Sequence, residues 1–424
     1  MLKLNGGVTD QSRFFENADP FLLTQEYGSP LYVYNERILR GACRELLSMC
    51  GYPSFSIHYS VKANSNLTLL RIIHEEGLRA DAMSPGEIRI ELEAGFPPDE
   101  IFFVPNNVSE EEMRFALEKG ITTSVDSLSQ LERYGRINPG GQIAIRFNPG
   151  IGAGHHEKVI TAGKNTKFGV NPEIISEVHG ILKKYRLQCV GVNQHIGSLF
   201  LTDGAYLQSC EELLTIAKQF DDLAFVDLGG GFGIPYRKQE EEPRLDLKSA
   251  GAKMDLLMYA FSREYGKDVQ FRIEPGRYVT AECGVLLGTV HALKNNGPVK
   301  YVGTDIGQSV LARPVLYNAH HDIEVYRREG VVSDPKLDPE LNQKETVTIV
   351  GNICESGDIL AKNRVLPAIR EGDLLGVLDA GAYGYAMSSN YNNRLRPAEI
   401  LLRENSGVEL IRRRDTFEDF LRNY

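Results

Sequence analysis

The chain has 424 residues, 42% of them hydrophobic and 25% charged, enough to bury a large core and too apolar to stay disordered. A formal charge of -10, from 57 acidic and 47 basic residues with no long basic run, argues against a nucleic-acid partner. The opening Met1 to Gly7 lacks the apolar core of a signal peptide, no later stretch approaches a membrane span, and the six scattered cysteines form no CxxC pair, so the expectation is a cytosolic protein without a disulfide frame or a zinc site.

In chain order, the run Pro30-Leu31-Tyr32-Val33-Tyr34 comes first and can add a strand to a sheet formed elsewhere. Phe55 to Tyr59 then reads as a strand, followed by "YSVKAN" and by Asn64-Ser65-Asn66 as the cap of an apolar-periodic helix from Leu67. Lys62 therefore falls where a strand has ended and a helix has yet to start, ordinarily the place of a solvated loop residue. Further strand-like runs cover 78–82, 101–104, 122–126, 143–148, 189–195, 225–227 and 270–274. Helical patterns lie between them at 67–76, 85–94, 110–119, 128–134, 173–184, 206–220 and 253–265. Eight strands alternating with helices predict parallel pairing and a closed (β/α)8 TIM-type barrel, whose site sits at the C-terminal ends of the strands.

After Arg277 the pattern changes to short β-type segments at 285–290, 299–302, 346–350, 374–378, 399–402 and 407–411, split by Gly, Pro and Asn. The expected architecture is thus α/β plus β: a barrel over 37–280, and an all-β sandwich- or barrel-like domain made of 1–36 with 281–424. The acidic run Gln239 to Glu242 reads as a solvated loop.

The unusual residues gather at strand ends. Lys62 follows the first strand, His195 opens "HIGS" after the sixth, Gly229-Gly230-Gly231 follows the seventh, and Glu274-Pro275-Gly276-Arg277 ends the eighth. Each alone has an ordinary reading: a core histidine, a tight turn, a surface glutamate. Together on one barrel mouth, glycines that admit an anion beside a lysine able to form a Schiff base point to pyridoxal phosphate, with Ser198 as a further donor to its phosphate, Glu274 facing the pyridine nitrogen and His195 against the ring.

The motifs "YSVKAN", "HIGS", "LGGGFGIPY", "EPGR", "CESGD", "DAGAYG", "MSSNYN" and "RPAEIL" make the chain, from about Gln25 to Arg414, resemble the fold-type III pyridoxal-phosphate decarboxylases, and among them the branch acting on diaminopimelate. The resemblance implies a homodimer with shared active sites and a β domain that serves dimerisation and completes the site. It implies that Lys62 holds pyridoxal 5'-phosphate as a Schiff base, that His195 stacks on the ring, and that Ser198, Gly230, Gly231, Glu274, Pro275, Gly276, Arg277 and Tyr383 bind the cofactor. Cys354 would come from the partner subunit as proton donor. Arg277, Arg313, Tyr317, Glu355 and Tyr383 would bind the substrate, guanidinium groups meeting the distal carboxylate of meso-2,6-diaminopimelate and Glu355 its distal ammonium. The implied reaction is decarboxylation at the D centre to give L-lysine and CO2, the last step of lysine biosynthesis.

Departures from the family pattern are Leu199-Phe200 after "HIGS", Asn352 in "GNICESGD", and the segment from Gly150 to His156, whose His155-His156 pair reads as a solvated loop rather than a metal site. Two other readings keep the cofactor motifs or the fold: a decarboxylase of another basic or modified amino acid (lysine, ornithine or arginine), and a non-catalytic regulator. A racemase would need a tyrosine opposite the lysine, where "CESGD" argues for Cys354.

Overall fold

The computed structural model describes residues 14–16, 18–151, 166–327 and 343–424. They form two compact units: Arg40–Ile234 with Pro243–Val279, and a second unit from the N-terminal residues through Leu39, Pro235–Glu242 and Thr280–Tyr424.

In the second unit, β1 (Leu31–Asn35) precedes everything in the barrel. In the first unit, β2 (Phe55–Ser60), β3 (Arg79–Ala82), β4 (Ile101–Phe103), β5 (Thr122–Val125), β6 (Gln142–Arg146), β7 (Gln188–Asn193), β8 (Phe225–Asp227) and β9 (Gln270–Ile273) close into a parallel barrel. Side-chain caps open several of the barrel helices: Asn66, as expected, accepts from the Thr68 amide, Ser84 from Glu87, Ser109 from Glu112 within a capping box, and Ser127 from Gln130. Each cap satisfies an amide that the helix itself leaves unpaired, which sets where a strand can hand over to its helix.

Aromatic rings and one arginine fill the lower barrel. Phe102 and Phe225 meet edge to face at 5.2 Å, and the Arg272 guanidinium lies 3.6 Å from the Phe225 ring centre. Gly191 on β7 leaves the space that the Phe225 ring occupies, since a Cβ there would overlap the ring.

In the β unit, β1 lies between β10 (Gly284–Asn296), antiparallel, and β16 (Ala398–Leu402), parallel. All five β1 residues are buried, and the tyrosine hydroxyls find partners: Tyr32 donates to the Val310 carbonyl at 2.7 Å and Tyr34 to Glu399 at 2.6 Å. The sheet also takes in β11 (Val299–Thr304), β12 (Ile323–Tyr326), β13 (Lys344–Val350), β14 (Ile359–Pro367), β15 (Leu374–Val377) and β17 (Val408–Arg412). Two of these, β12 and β14, have no counterpart among the strands read from the sequence. β14 carries Lys362-Asn363-Arg364 across its middle, and β12 is a four-residue run just after two histidines and an aspartate.

The segment Pro235–Glu242, inside the sequence range assigned to the barrel, packs with the β unit. Lys238 there pairs with Glu282 at 2.6 Å and with Asp379 at 2.7 Å. Among the described residues no helix is long and apolar enough to cross a membrane.

Gly191→Val should lower the unfolding free energy by about 1–3 kcal/mol through overpacking against Phe225. A urea denaturation curve with an unchanged midpoint would mean that the ring has another place to go.

Candidate active site

The C-terminal rim of the barrel brings together Lys62, His195, Ser198, Gly230, Gly231, Glu274, Pro275, Gly276 and Arg277. Lys62 sits in a 3-10 turn, Val61–Ala63, directly after β2. That turn is tied to the rest of the rim. The Ser60 hydroxyl lies 2.9 Å from Asp81 Oδ2 and 3.1 Å from the Glu274 carbonyl oxygen, and the Ser60 amide donates to the Pro275 carbonyl at 3.2 Å.

The glycine loop after β8 lies against neighbouring backbone. A Cβ on Gly229 would strike the Gln194 carbonyl oxygen and one on Gly230 the Glu274 carbonyl oxygen, while Gly231, at φ +110°, faces the Gly197 carbonyl oxygen. The Gly229 amide donates to Asp227 Oδ1 at 2.8 Å, and the Gly230 amide donates to His195 Nδ1 at 3.2 Å. His195 therefore accepts at Nδ1. Its pKa is lowered well below the ordinary histidine value, first by burial and then by the charges of Lys62 and Arg146, so the ring is neutral. The Arg277 guanidinium reaches Ser198 Oγ at 2.9 Å through Nη2 and at 3.3 Å through Nε.

Glu274 is 3% exposed, and its carboxyl lies within hydrogen-bond reach of Asp227. Burial, then the neighbouring Asp227, raise its pKa well above the usual carboxylate range. Burial also raises Asp227 to about 6, against the pull of the Gly229 amide and Arg272. Two carboxyl groups in one dry site cannot both ionise cheaply, so the pair holds a proton.

Three more residues on this rim were not picked out from the sequence. Asp81 is the penultimate residue of the second barrel strand, and Arg146 and Asp227 end the fifth and seventh; all are buried. Asp81 feels the opposing charges of Glu274 and Lys62, and Arg146 is lowered by burial while Glu274, Asp126 and Asp81 favour its charge. The rule that drew attention to four strand ends applies equally to these three.

Phe200 explains one departure from the family pattern. It stacks on Tyr206 at 4.9 Å, its amide donates to the Gly231 carbonyl at 3.1 Å, and its carbonyl accepts from Gly233 at 3.0 Å. Leu199 before it takes φ +66°. The "HIGS" segment is thereby fastened to the glycine loop. The His155-His156 pair lies outside the described residues.

The remaining candidates belong to the β unit. Cys354 and Glu355 are exposed on a turn braced by Asp358, whose carboxylate accepts from the Gln308 amide at 2.6 Å and the Ile353 amide at 3.2 Å. The Cys354 amide donates to Asn392 Oδ1 at 2.7 Å. Cys354 is the exposed one of the six cysteines, whereas burial pushes Cys43, Cys50, Cys189 and Cys210 up to about 12. Arg313 and Tyr317 are the first and last residues of the helix Arg313–Tyr317. That helix neighbours the cysteine turn, since a Cβ at Gly357 would lie 3.9 Å from Val315 Cγ1. Tyr383 is half-buried at φ +56°, a left-handed conformation that a tyrosine holds only when its surroundings impose it.

Residues 40–281 match the family model of the pyridoxal binding domain of pyridoxal-dependent decarboxylases. The diaminopimelate decarboxylase of Methanothermobacter thermautotrophicus is 42% identical, covering 96% of this chain and 94% of its own. The chain belongs to the diaminopimelate decarboxylase family. In three dimensions it is similar to the Helicobacter pylori diaminopimelate decarboxylase solved with L-lysine, at TM-score 0.85 and 32% identity over 96% of this chain and 99% of that one. It is also similar to the M. jannaschii diaminopimelate decarboxylase in co-complex with L-lysine, at TM-score 0.83 and 30% identity over 96% and 94% of the two chains.

The rim fits pyridoxal phosphate, the cofactor of this family. Glu274 presents a buried carboxyl suited to a ring N–H, and Lys62 stands near enough to act on its charge.

The proton held by Asp227 and Glu274 has a consequence for stability. An unfolded aspartate releases its proton near pH 4, but folded Asp227 keeps it to about 6. Over that window the folded state binds more protons, so stability falls as pH rises, and Glu274, held well above the usual carboxylate range, carries the fall further. In the cofactor-stripped protein, Asp227→Asn should flatten this slope by roughly one proton's worth; urea denaturation between about pH 4.5 and 7 with an unaltered slope would show that the pair does not share a proton.

Proposed function

We propose that this protein removes CO2 from the D centre of meso-2,6-diaminopimelate to give L-lysine, with pyridoxal 5'-phosphate as its cofactor. The observation that carries the reading is the buried Glu274 carboxyl on the same barrel rim as Lys62, in a chain whose relatives are named diaminopimelate decarboxylases. We further read the protein as a cytosolic homodimer in which the Cys354 turn of one copy serves the site of the other, with the barrel over 37–280 and the β domain formed by 1–36 and 281–424.

When bound, the cofactor supplies the electron sink that lets an amino acid lose CO2. Lys62 would hold it through its amine, which the substrate's amine can replace. Glu274, whose burial beside Asp227 keeps a proton in the site, would give that proton to the ring nitrogen and face it as a carboxylate. Neutral His195, fixed through Nδ1 by the Gly230 amide, offers an uncharged face for the ring. Ser198, Gly230, Gly231 and the loop from Pro275 through Gly276 to Arg277 would hold the phosphate, and Tyr383 is a further candidate. Cys354 returns a proton to the carbon that has lost CO2.

Arg277, Arg313, Tyr317, Glu355 and Tyr383 bind the far end of the substrate. A decarboxylase of an amino acid lacking a distal carboxylate would keep the whole rim and differ at Arg313. Because the Arg313 side chain is only 1% exposed, it is the residue at which these readings part.

Assays of CO2 release from meso-diaminopimelate, L-lysine, L-ornithine and L-arginine should give product from the first alone. Release from only one of the others would keep the reaction type and overturn the substrate. Cys354→Ala should lower kcat by about 10²-fold or more while the visible cofactor band is retained, and an unchanged kcat would sink its role as proton donor.

A further inference from the structure

The segment that follows the Arg313–Tyr317 helix contains two consecutive histidines whose partners determine where each carries its hydrogen. His321 Nδ1 lies 2.7 Å from the Leu378 carbonyl oxygen, and a carbonyl can only accept, so Nδ1 carries the hydrogen. Arg313 Nη1 lies 2.6 Å from His321 Nε2, and a guanidinium can only donate, so Nε2 presents its lone pair. Both bonds are satisfied by one species, the neutral Nδ1–H ring.

His320 shows the mirror arrangement. Its Nε2 lies 2.9 Å from Asp322 Oδ1 and its Nδ1 lies 2.6 Å from Arg364 Nη1. Arg364 Nη2 also donates to the His321 carbonyl at 2.5 Å, and the other Asp322 oxygen accepts from the Gln239 amide at 2.9 Å. The backbone that carries His321 is thus held from both sides.

Arg313 is 1% exposed, its guanidinium carbon lies 4.4 Å from the centre of the Tyr236 ring, and that ring meets His321 edge to face at 5.2 Å. At this burial a water has little room to take over a lost acceptor, so His321 Nε2 fixes the Nη1 arm of the guanidinium. A carboxylate at position 321 would also orient it, but would set a negative charge beside it and weaken its attraction for a second carboxylate. A neutral imidazole and an aromatic face orient the cation without that effect.

We propose that His321 is a positioning residue for substrate specificity: anchored by the Leu378 carbonyl, it aims the Arg313 guanidinium at the carboxylate on the far end of the ligand without placing an anion beside it. This rests on the assignment of Arg313 to the distal carboxylate given above. No feature of "AHHD" alone distinguishes His321 from a surface histidine.

The test uses two ligands that differ by that carboxylate. L-lysine, entering by its side-chain amine as the product does, presents the carboxylate to the distal pocket, and pentane-1,5-diamine does not. Each is titrated into cofactor-loaded protein while the visible band is followed, and the ratio of the two dissociation constants is read. In His321→Phe, which can still pack but cannot accept, the preference for L-lysine should fall roughly tenfold or more. His321→Gln, whose amide oxygen can stand in for Nε2, should keep most of it, and Arg313→Met should abolish it. For meso-diaminopimelate, His321→Phe should raise KM with little change in kcat.

A wild-type ratio in His321→Phe, alongside loss of the preference in Arg313→Met, would overturn the role of His321 and leave that of Arg313 intact. A wild-type ratio in Arg313→Met would instead overturn the assignment on which the inference rests. Should His321→Phe fail to fold, His321→Asn, whose shorter amide cannot reach, takes its place against His321→Gln, and equal ratios in that pair would refute the proposal.

Discussion

The glycine loop after β8 lies closer to the Gln194 and Glu274 carbonyl oxygens than any side chain would allow, and the positions of the reactive groups follow from that approach. It draws the ends of β7, β8 and β9 together, puts the Gly229 amide on Asp227 and the Gly230 amide on His195, and leaves Glu274 pressed against Asp227 out of reach of water. One backbone contact therefore sets the orientation of a ring and the protonation of a carboxyl pair.

The two settings that the proposed chemistry draws on are built on different principles. On the barrel rim, charge is concentrated in a dry place: Lys62 and Arg146, with Arg272 below them, face Asp81, Asp227 and Glu274, and burial is the largest influence on those of them whose pKa is moved. In the β unit, the Cys354 turn is held by backbone amides on Asp358 and by Asn392, which leaves the thiol exposed while four other cysteines are too buried to ionise. A buried carboxyl can keep a proton for a ring nitrogen. An exposed thiol can bring one from outside.

Much of this was legible in the chain because the barrel advertises itself. Alternating strands and helices with Ser and Asn caps locate all eight strands to within a residue or two, and the rule that function gathers at their C-terminal ends leads to Lys62, His195, the glycine loop and Glu274. The same rule passed over Asp81, Arg146 and Asp227, because an acid or an arginine at a strand end carries no mark until its neighbours are known. β12 and β14 escaped for a related reason: a short buried run and a polar-centred strand have no periodicity of their own, and pairing with β15 and β13 makes them strands.

What the chain determines alone is local: caps, strand runs, the glycines that a close approach demands, and the motif set that places it in its family. What only the tertiary structure decides is the state of each group. That Glu274 shares a proton, that His195 and His321 are neutral, that Phe200 locks two loops, and that Cys354 alone among the cysteines is exposed all depend on neighbours far away in the chain. Protonation and orientation are set by desolvation and by hydrogen-bond partners, and neither exists until the chain has folded around the group.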